Sequence, residues 1–227
     1  MVDLLEGLAT TRAIRRYTDA PVTDAQLQQV LFAATRAPSG SNRQPVRFVV
    51  LRDSPRARDA QQLIAGSAQA FWADKRRADG YDRGSGADAD SPKARTARTM
   101  EAFVDNFVQV PVVILPCFVR YRPQWSGEGA SVYPACQNLL LGARAVGLGG
   151  VLTHWHEPVA AGLAELLRLP DDAVIAATIT LGHPAGSHGP VRRRPLAEAV
   201  FEDTWGSSPA WAIDPPGTRF TGAGPPR

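Results

Sequence analysis

Two residue types with distinctive chemistry are scarce in this 227-residue sequence. It contains only two cysteines, Cys117 and Cys136, and neither belongs to a CxxC pair. That count excludes a disulfide framework and the usual zinc-binding patterns, so we expect two free thiols in a reducing cytosol. Lysine is equally scarce, because Lys75 and Lys93 are the only two among 25 basic residues. Arginine carries the remaining positive charge, either through the codon bias of a GC-rich genome or because its planar fork binds phosphate and carboxylate.

Long apolar runs and long basic runs are also missing. No apolar stretch approaches the roughly eighteen residues of a membrane helix, and no secretory leader pattern opens the chain. The net charge is only +3, and the basic residues are dispersed apart from Arg192, Arg193 and Arg194. Such a short run is more often a solvated surface segment than a binding site. We therefore predict a cytoplasmic protein that binds neither a membrane nor nucleic acid.

Several catalytic signatures are absent as well. No GxSxG motif is present, so a serine nucleophile elbow is not supported. The glycines of residues 147–150 do not form GxGxxG and follow a predicted helix, which argues against a Rossmann site. His154 and His156, with Glu157, could bind a metal on one strand face. No third ligand follows at a suitable spacing, so we predict no metal site.

The apolar fraction of 44% is sufficient for a hydrophobic core, and the length suits a single domain over residues 1–204. Thr23 and Gln26 form a capping-box pattern before a stripe of apolar residues, which predicts a helix that ends near Ala37 because Pro38 follows. Periodicity predicts further helices at residues 3–10, 55–70, 96–108, 131–146 and about 157–168, and strands at 46–51, 110–115, 151–155 and 173–181. Interleaving without regular βαβ spacing favours an α/β sandwich of mixed strand direction.

Two segments have too few apolar residues to fold alone. Residues 79–95 are rich in Gly, Ser, Asp and Arg, which predicts a mobile insertion or lid within a region of about 70–106. Residues 205–227 form a Pro/Gly-rich C-terminal extension. Any order in that extension must come from packing on another part of the protein, such as a partner subunit.

Two short segments could form a ligand pocket. Arg12 and Arg15 lie in a polar turn, where two guanidinium groups could bind a phosphate or place positive charge beside an electron-accepting ring. Solvated surface arginines explain the same pattern equally well. Residues 38–45 form a loop of small hydrogen-bonding residues between two prolines, and Gly40 permits close backbone approach. An ordinary helix-to-strand turn has the same composition. The extended segment 152–154 could contact the edge of a ring through its backbone.

These segments, in this order, resemble the nitroreductase family of FMN-dependent enzymes over about residues 8–200. TTRAIRRYTDAPVTDAQL resembles the Arg-Ser-x-Arg-x-Phe start of that family, and APSGSNRQP resembles its second signature. NLLLGARAVGLGGVLTHW is similar to its internal helix and glycine turn, and LGHPAG with the later RRRP is similar to its closing segment. Each motif alone is loose, but four motifs in the family order are specific.

The resemblance implies an α+β fold, namely a three-layer α/β/α sandwich with a mixed, mainly antiparallel central sheet. It also implies a homodimer with FMN at its interface, with Arg15 near the pyrimidine edge of the ring and Arg193 holding the phosphate. The implied FMN contacts from one chain are Arg12, Ala13, Arg15, Leu152, Thr153, His154 and Arg193, and those from the partner chain are Pro38, Ser39, Gly40 and Asn42.

The sequence departs from the family pattern at three places. Ala13 stands where the family usually has serine, and Val46 stands where tryptophan often follows Gln-Pro. The lid region of about 70–106 matches no subgroup, and it lacks the Glu/Tyr/Lys set of the iodotyrosine deiodinases. The sequence of this region therefore does not indicate which substrates of the family the protein would use.

The activity that the resemblance implies is hydride transfer from NAD(P)H through FMN to an electron-poor acceptor, such as a nitroaromatic or a quinone, in a ping-pong cycle. Arg15 would stabilise the negative charge of the reduced ring, and His154 is the nearest candidate for a proton donor, although no acid or base is obligatory. Two alternatives stay open. One is an FMN-storing or redox-sensing protein, and the other is a dehalogenase or flavin-modifying enzyme of the same fold.

Overall fold

The computed structural model describes residues 2–220, in which helices cover both faces of one sheet. The helices are α1 (Leu4–Thr10), α2 (Asp24–Thr35), α3 (Pro55–Ala78), α4 (Pro92–Asp105), α5 (Gly129–Ala145) and α6 (Ala160–Leu167). The strands are β1 (Val46–Leu51), β2 (Val112–Val119), β3 (Gly149–Thr153), β4 (Ala173–Ile175) and β5 (Thr178–Gly182). No helix within residues 2–220 combines the length and apolar character needed to cross a bilayer.

The five strands form a single sheet in the order β1-β2-β5-β3, and β4 pairs with β2 beside this path. Every pairing between these strands is antiparallel. Successive residues of the buried β2 face opposite layers: Val113 and Leu115 pack towards α3, α4 and α6, whereas Val112 and Ile114 pack towards α2 and α5. The predicted α+β sandwich with a mainly antiparallel sheet is confirmed, although the five described strands do not show the expected mixture of strand directions.

The start of α2 follows from its capping residues. The Oγ1 atom of Thr23 accepts a hydrogen bond from the Gln26 backbone N–H at 3.2 Å, and Gln26 Oε1 accepts one from the Thr23 N–H at 3.0 Å. The buried residues Leu27, Val30 and Ala34 then pack on the sheet. The helix ends at Thr35, before Pro38, close to the predicted boundary.

The lid region differs from the predicted pattern because two helices extend into it. Helix α3 continues beyond residue 70 to Ala78, since Trp72 is buried and packs on Tyr81 with 5.1 Å between ring centroids. Helix α4 begins at Pro92 rather than near Thr96, because the Ser91 hydroxyl accepts a hydrogen bond from the Ala94 N–H at 3.0 Å. Much of the region of about 70–106 is therefore regular structure that contributes to the core.

The strand predicted at residues 173–181 is divided into β4 and β5. Strand β4 pairs with the end of β2, whereas β5 pairs with its beginning. Between them the Ala176 N–H donates a hydrogen bond to the Pro116 carbonyl at 2.8 Å. One apolar run therefore supplies two short strands that follow different parts of the same neighbour.

The described part of the C-terminal extension folds back on its own chain. Ala212 is buried, and Asp214 accepts a hydrogen bond from the Leu196 N–H at 2.9 Å. The Arg193 N–H donates to the Arg219 carbonyl at 3.3 Å. These contacts order residues 212–219 against residues 193–196, and residues 221–227 of the predicted extension lie outside the described part.

The close contact between β3 and β5 requires glycine at position 150. A Cβ on Gly150 would lie 2.0 Å from the Thr180 carbonyl oxygen, which is far inside van der Waals contact. We expect Gly150→Ala to lower the free energy of unfolding by about 1–3 kcal/mol, measured by urea denaturation followed by circular dichroism. Gly186→Ala is the matched control, because a Cβ there meets nothing within 4 Å. Equal stability of the two variants would contradict the close approach.

Candidate functional site

The basic turn of residues 11–17 is held against the outer strand β3. The Ile14 N–H donates a hydrogen bond to the Gly150 carbonyl at 2.9 Å, and the Ile14 side chain is buried. The Tyr17 hydroxyl donates to the Ile14 carbonyl at 2.8 Å and lies 2.6 Å from Thr180 Oγ1. This packing leaves Arg12 exposed and Arg15 half-buried, on either side of the buried Ile14.

Five arginines line a cavity of about 570 Å³ beside this turn. The lining residues are Arg12, Ala13, Arg15, Pro190, Val191, Arg192, Arg193 and Arg219. No carboxylate is among them, and within residues 2–220 none of the five arginines has an acidic partner within 4.0 Å. We call this the arginine cavity. Its charge suits an anionic group, and a dianionic phosphate could accept several of these forks.

Arg15 connects the arginine cavity to a second, mainly apolar cavity of about 520 Å³. Desolvation by burial lowers the pKa of the Arg15 guanidinium, and the charge of Arg12 acts in the same direction. The second cavity is lined by Arg15, Ser67, Phe71, Trp72, Lys75, Tyr81, Thr96, Met100, Thr153, His154, Trp155, Glu157 and Pro158. We call it the aromatic cavity. A ligand with a phosphate at one end and a flat ring at the other would match this pair of adjoining cavities.

The segment after β3 contributes unequally to the aromatic cavity. Thr153 and His154 line it, but the Leu152 side chain packs against the core on the α2/α5 side of the sheet. The exposed His154 places its Nε2 atom 3.2 Å from the hydroxyl of Tyr133 on α5. Sequence reasoning missed Tyr133, because helical periodicity says nothing about contact with a strand further along the chain.

The two histidines near the end of β3 have different partners. His156 is buried and its Nδ1 atom lies 3.2 Å from Thr178 Oγ1, whereas His154 bonds Tyr133. Their ring centroids are 6.0 Å apart. Across residues 2–220 no group of three or more His, Cys, Asp or Glu side chains is placed to hold one metal ion.

The loop of residues 38–42 lies apart from both cavities that contain Arg15. Pro38, Ser39 and Gly40 line another cavity, of about 440 Å³, with Tyr121 and Trp125. The loop is bonded to itself and to α5, because the Gln44 N–H donates to Ser39 Oγ at 2.9 Å and the Gly40 N–H donates to Ser131 Oγ at 3.2 Å. Within one chain, the structure therefore does not bring this loop to the basic turn.

Three non-glycine residues of this loop adopt the left-handed backbone region. Ser41, Asn42 and Gln44 have φ angles of 52°, 50° and 51°. Such conformations are uncommon outside glycine and persist only where surrounding contacts enforce them, often at functional sites. These three positive φ angles distinguish the loop from the ordinary helix-to-strand turn that its composition also allowed.

Neither thiol has the surroundings of a nucleophile. Cys117 and Cys136 are both buried, and burial raises the pKa of Cys117 to about 11 and that of Cys136 to about 12. Both thiols stay protonated near neutral pH, so they are core residues, as predicted.

Most of the aromatic cavity was not identified from the sequence. Phe71, Trp72, Tyr81 and Met100 fall in the region of about 70–106, whose polar composition indicated a lid. The aromatic residues at 71, 72 and 81 were the available signal for a packed wall. Arg219 was missed because nothing in the Pro/Gly-rich extension indicates that it returns to Arg193.

Comparison with known proteins identifies the family of this chain. The family model described as the nitroreductase family matches residues 8–183. The chain belongs to the nitroreductase family. An NADH dehydrogenase of Thermus thermophilus is 32% identical to it over 212 residues, which cover 88% of this chain and 96% of that protein. The FMN reductase (NAD(P)H) of Bacillus subtilis is 26% identical over 224 residues, covering 90% of this chain and 75% of that one.

A solved relative agrees in fold. A Desulfovibrio desulfuricans protein described as a nitroreductase, crystallised in complex with FMN, is 30% identical with a TM-score of 0.63. The match covers 88% of this chain and 96% of that chain. This chain is accordingly a nitroreductase-like enzyme, as its resemblance predicted. The family model ends at residue 183, so Arg193 and Arg219 of this nitroreductase lie beyond the matched segment.

Two histidines lead us to expect that the stability of this protein depends on pH. Burial lowers the pKa of His156, and burial likewise lowers the pKa of His188. Both rings then stay neutral in the folded state at pH values where unfolded histidines, with a pKa of about 6.5, bind a proton. We expect the free energy of unfolding to fall as pH decreases from about 7 to 5, with a smaller fall in His156→Gln. Urea denaturation at several pH values tests this, and identical slopes for both proteins would rule out a role for His156.

Proposed function

We propose that this protein is an FMN-dependent oxidoreductase that passes a hydride from NAD(P)H through the flavin to an electron-poor acceptor, such as a nitroaromatic or a quinone. FMN and NAD(P)H appear together in the name of the Bacillus subtilis relative, and FMN is present in the Desulfovibrio desulfuricans structure. The observation that carries the proposal is the junction of two cavities at Arg15, one rich in arginine and one mainly apolar.

The residues of the arginine cavity fit the phosphate end of FMN. Arg12 and Arg193 offer guanidinium donors, and no carboxylate of the described chain competes for them. Ala13, in place of the serine usual in the family, removes one hydroxyl donor from this end. We assign phosphate binding to Arg12 and Arg193, with Ala13 supplying backbone contact only.

The residues at the junction fit the ring end. When bound, FMN would supply a ring that accepts a hydride from NAD(P)H and passes it on to the acceptor. Arg15 places a partly desolvated positive charge beside this position, where it would stabilise negative charge more strongly than a fully hydrated cation. We assign Thr153 and the backbone at Leu152 to the edge of the ring, and Thr153 and His154 both line the aromatic cavity.

The aromatic cavity would hold the donor and the acceptor in turn. Phe71, Trp72, Tyr81 and Met100 give it flat, apolar walls suited to nicotinamide and to an aromatic acceptor. Because one cavity adjoins the ring position, donor and acceptor would exclude each other, which produces ping-pong kinetics. In this proposal the region of about 70–106 is the wall and cover of that cavity.

A homodimer would complete the site. Pro38, Ser39, Gly40 and Asn42 lie apart from Arg15 within one chain, so we propose that they approach the flavin of the partner subunit. Exposed apolar side chains support such an interface: Leu4, Leu5 and Leu8 on α1 are 68%, 73% and 48% exposed. The two free thiols also suit the cytoplasmic location that we propose for the protein.

The flavin assignment is tested with purified protein stripped of flavin and titrated with FMN. We expect a yellow complex that oxidises NADH or NADPH steadily when a nitrofuran or a benzoquinone is supplied. Arg193→Ala should weaken FMN binding about tenfold, because it removes a charge-assisted hydrogen bond to the phosphate. Arg56→Ala on α3 is the matched control, since Arg56 lines neither cavity.

Three outcomes separate the alternatives. A protein that binds FMN but supports no sustained NAD(P)H oxidation would favour flavin storage or sensing. Steady turnover only with a halogenated substrate would favour a dehalogenase. A protein that gains no flavin at all would overturn the proposed function.

The dimer is tested by light scattering coupled to size exclusion. We expect a particle of twice the 24.4 kDa chain mass. Leu5→Glu should shift it towards the single-chain mass and weaken FMN binding, since burying the introduced charge at an interface is costly. Leu63→Glu is the matched control, because Leu63 is an exposed leucine on a different helix, α3; it should leave the particle mass and FMN binding unchanged. A single-chain mass for the unmodified protein at micromolar concentration would contradict the shared site.

A further inference from the structure

The C-terminal extension carries Arg219 back to the arginine cavity. The Leu196 N–H donates to Asp214 at 2.9 Å, which fixes the start of the returning segment. Thr218 then closes a turn on the Pro215 carbonyl, with its N–H at 3.2 Å and its hydroxyl at 2.6 Å. The next residue, Arg219, accepts a backbone hydrogen bond from Arg193 at 3.3 Å.

This path places Arg219 among positive charges, and none of the ion pairs within residues 2–220 gives it an acidic partner. Arg219 lines the arginine cavity with Arg12, Arg15 and Arg193. The neighbouring Arg194, outside the cavity, does have an acidic partner: its guanidinium lies 3.4 Å from a carboxylate oxygen of Glu198. Like charges gathered without acidic partners repel one another, and an anion between them removes that cost.

We propose that the C-terminal extension is a strap for the cofactor, in which Arg219 supplies an additional guanidinium to the phosphate of FMN. The proposal rests on the proposed function, because it takes FMN as the ligand of the arginine cavity. Arg219 lies in the C-terminal extension, beyond both the family-model match and the closing RRRP motif. Backbone bonding to Arg193 would make the two arginines a single phosphate clamp.

The experiment compares FMN with riboflavin, which has the same ring and lacks the phosphate. Dissociation constants are measured by quenching of flavin fluorescence with the full-length protein stripped of flavin. We expect Arg219→Ala to weaken FMN binding about tenfold and to leave riboflavin binding unchanged, because one charge-assisted contact to phosphate is lost. Arg219→Lys should recover part of the FMN affinity, since it keeps the charge and loses the planar fork.

Arg194→Ala is the matched control, because Arg194 directly follows Arg193, does not line the arginine cavity and pairs with Glu198. It should bind both flavins as the unmodified protein does. The loss in Arg219→Ala should also shrink as salt is added, since screening weakens an exposed contact to phosphate.

Four results would overturn the strap. Unchanged FMN affinity in Arg219→Ala would remove its role, and an equal loss for FMN and riboflavin would show a structural effect unrelated to phosphate. Unchanged FMN affinity with a raised KM for NADPH but not NADH would assign Arg219 to the phosphate of the nicotinamide cofactor. An unmodified protein that binds neither flavin would overturn the proposed function and the strap together, whereas the first three results leave the proposed function intact.

Discussion

The site depends on the docking of residues 9–18 against the outer edge of the sheet. Strand β3 ends the sheet order, and its free edge accepts the Ile14 N–H at the Gly150 carbonyl. Tyr17 closes the turn by bonding the Ile14 carbonyl and lying against Thr180 of β5. These contacts are buried or made by backbone atoms, so they set the backbone position from which Arg12 and Arg15 extend. Without this edge pairing, the basic turn would be a surface segment with no defined relation to the aromatic cavity.

Electrostatics divide the arginines of this protein into two groups. One group is neutralised locally, as where Arg76 bonds Asp82 and Glu101, and where Arg120 bonds Glu128 with both contacts at 3.0 Å. The other group lines the arginine cavity without a carboxylate among the residues that form it. A folded protein gains nothing from gathering unpaired cations, so their arrangement favours an anionic ligand over a role in stability. The adjoining aromatic cavity then restricts that ligand to one with a flat, apolar part as well.

Much of the secondary structure could be predicted because its signals are local. Thr23 and Gln26 predicted the start of α2, and the apolar periodicity of residues 131–146 predicted α5. The start of α4 also has a local signal, the N-cap Ser91 followed by Pro92, but the polar composition of residues 79–95 favoured a loop there. The extension of α3 to Ala78 could not be read locally, because it depends on Trp72 packing against Tyr81 after the chain has turned. The division of residues 173–181 into two strands likewise depended on register with β2.

By itself, the sequence determined the fold class, the family and the residue types of the candidate site, because caps, periodicity and ordered motifs are properties of short segments. Through the family resemblance it named Arg12, Arg15 and Arg193 as phosphate or ring contacts, although solvated surface arginines explained Arg12 and Arg15 equally well and were the commoner explanation for the run that contains Arg193. Only the tertiary structure brought these arginines together in one cavity, since a shared cavity is a property of side chains far apart in the chain, and their contact with FMN stays a prediction. It also separated residues 38–42 from the basic turn and returned Arg219 to Arg193. Those relations arise from sheet pairing and long-range packing, which no short segment encodes.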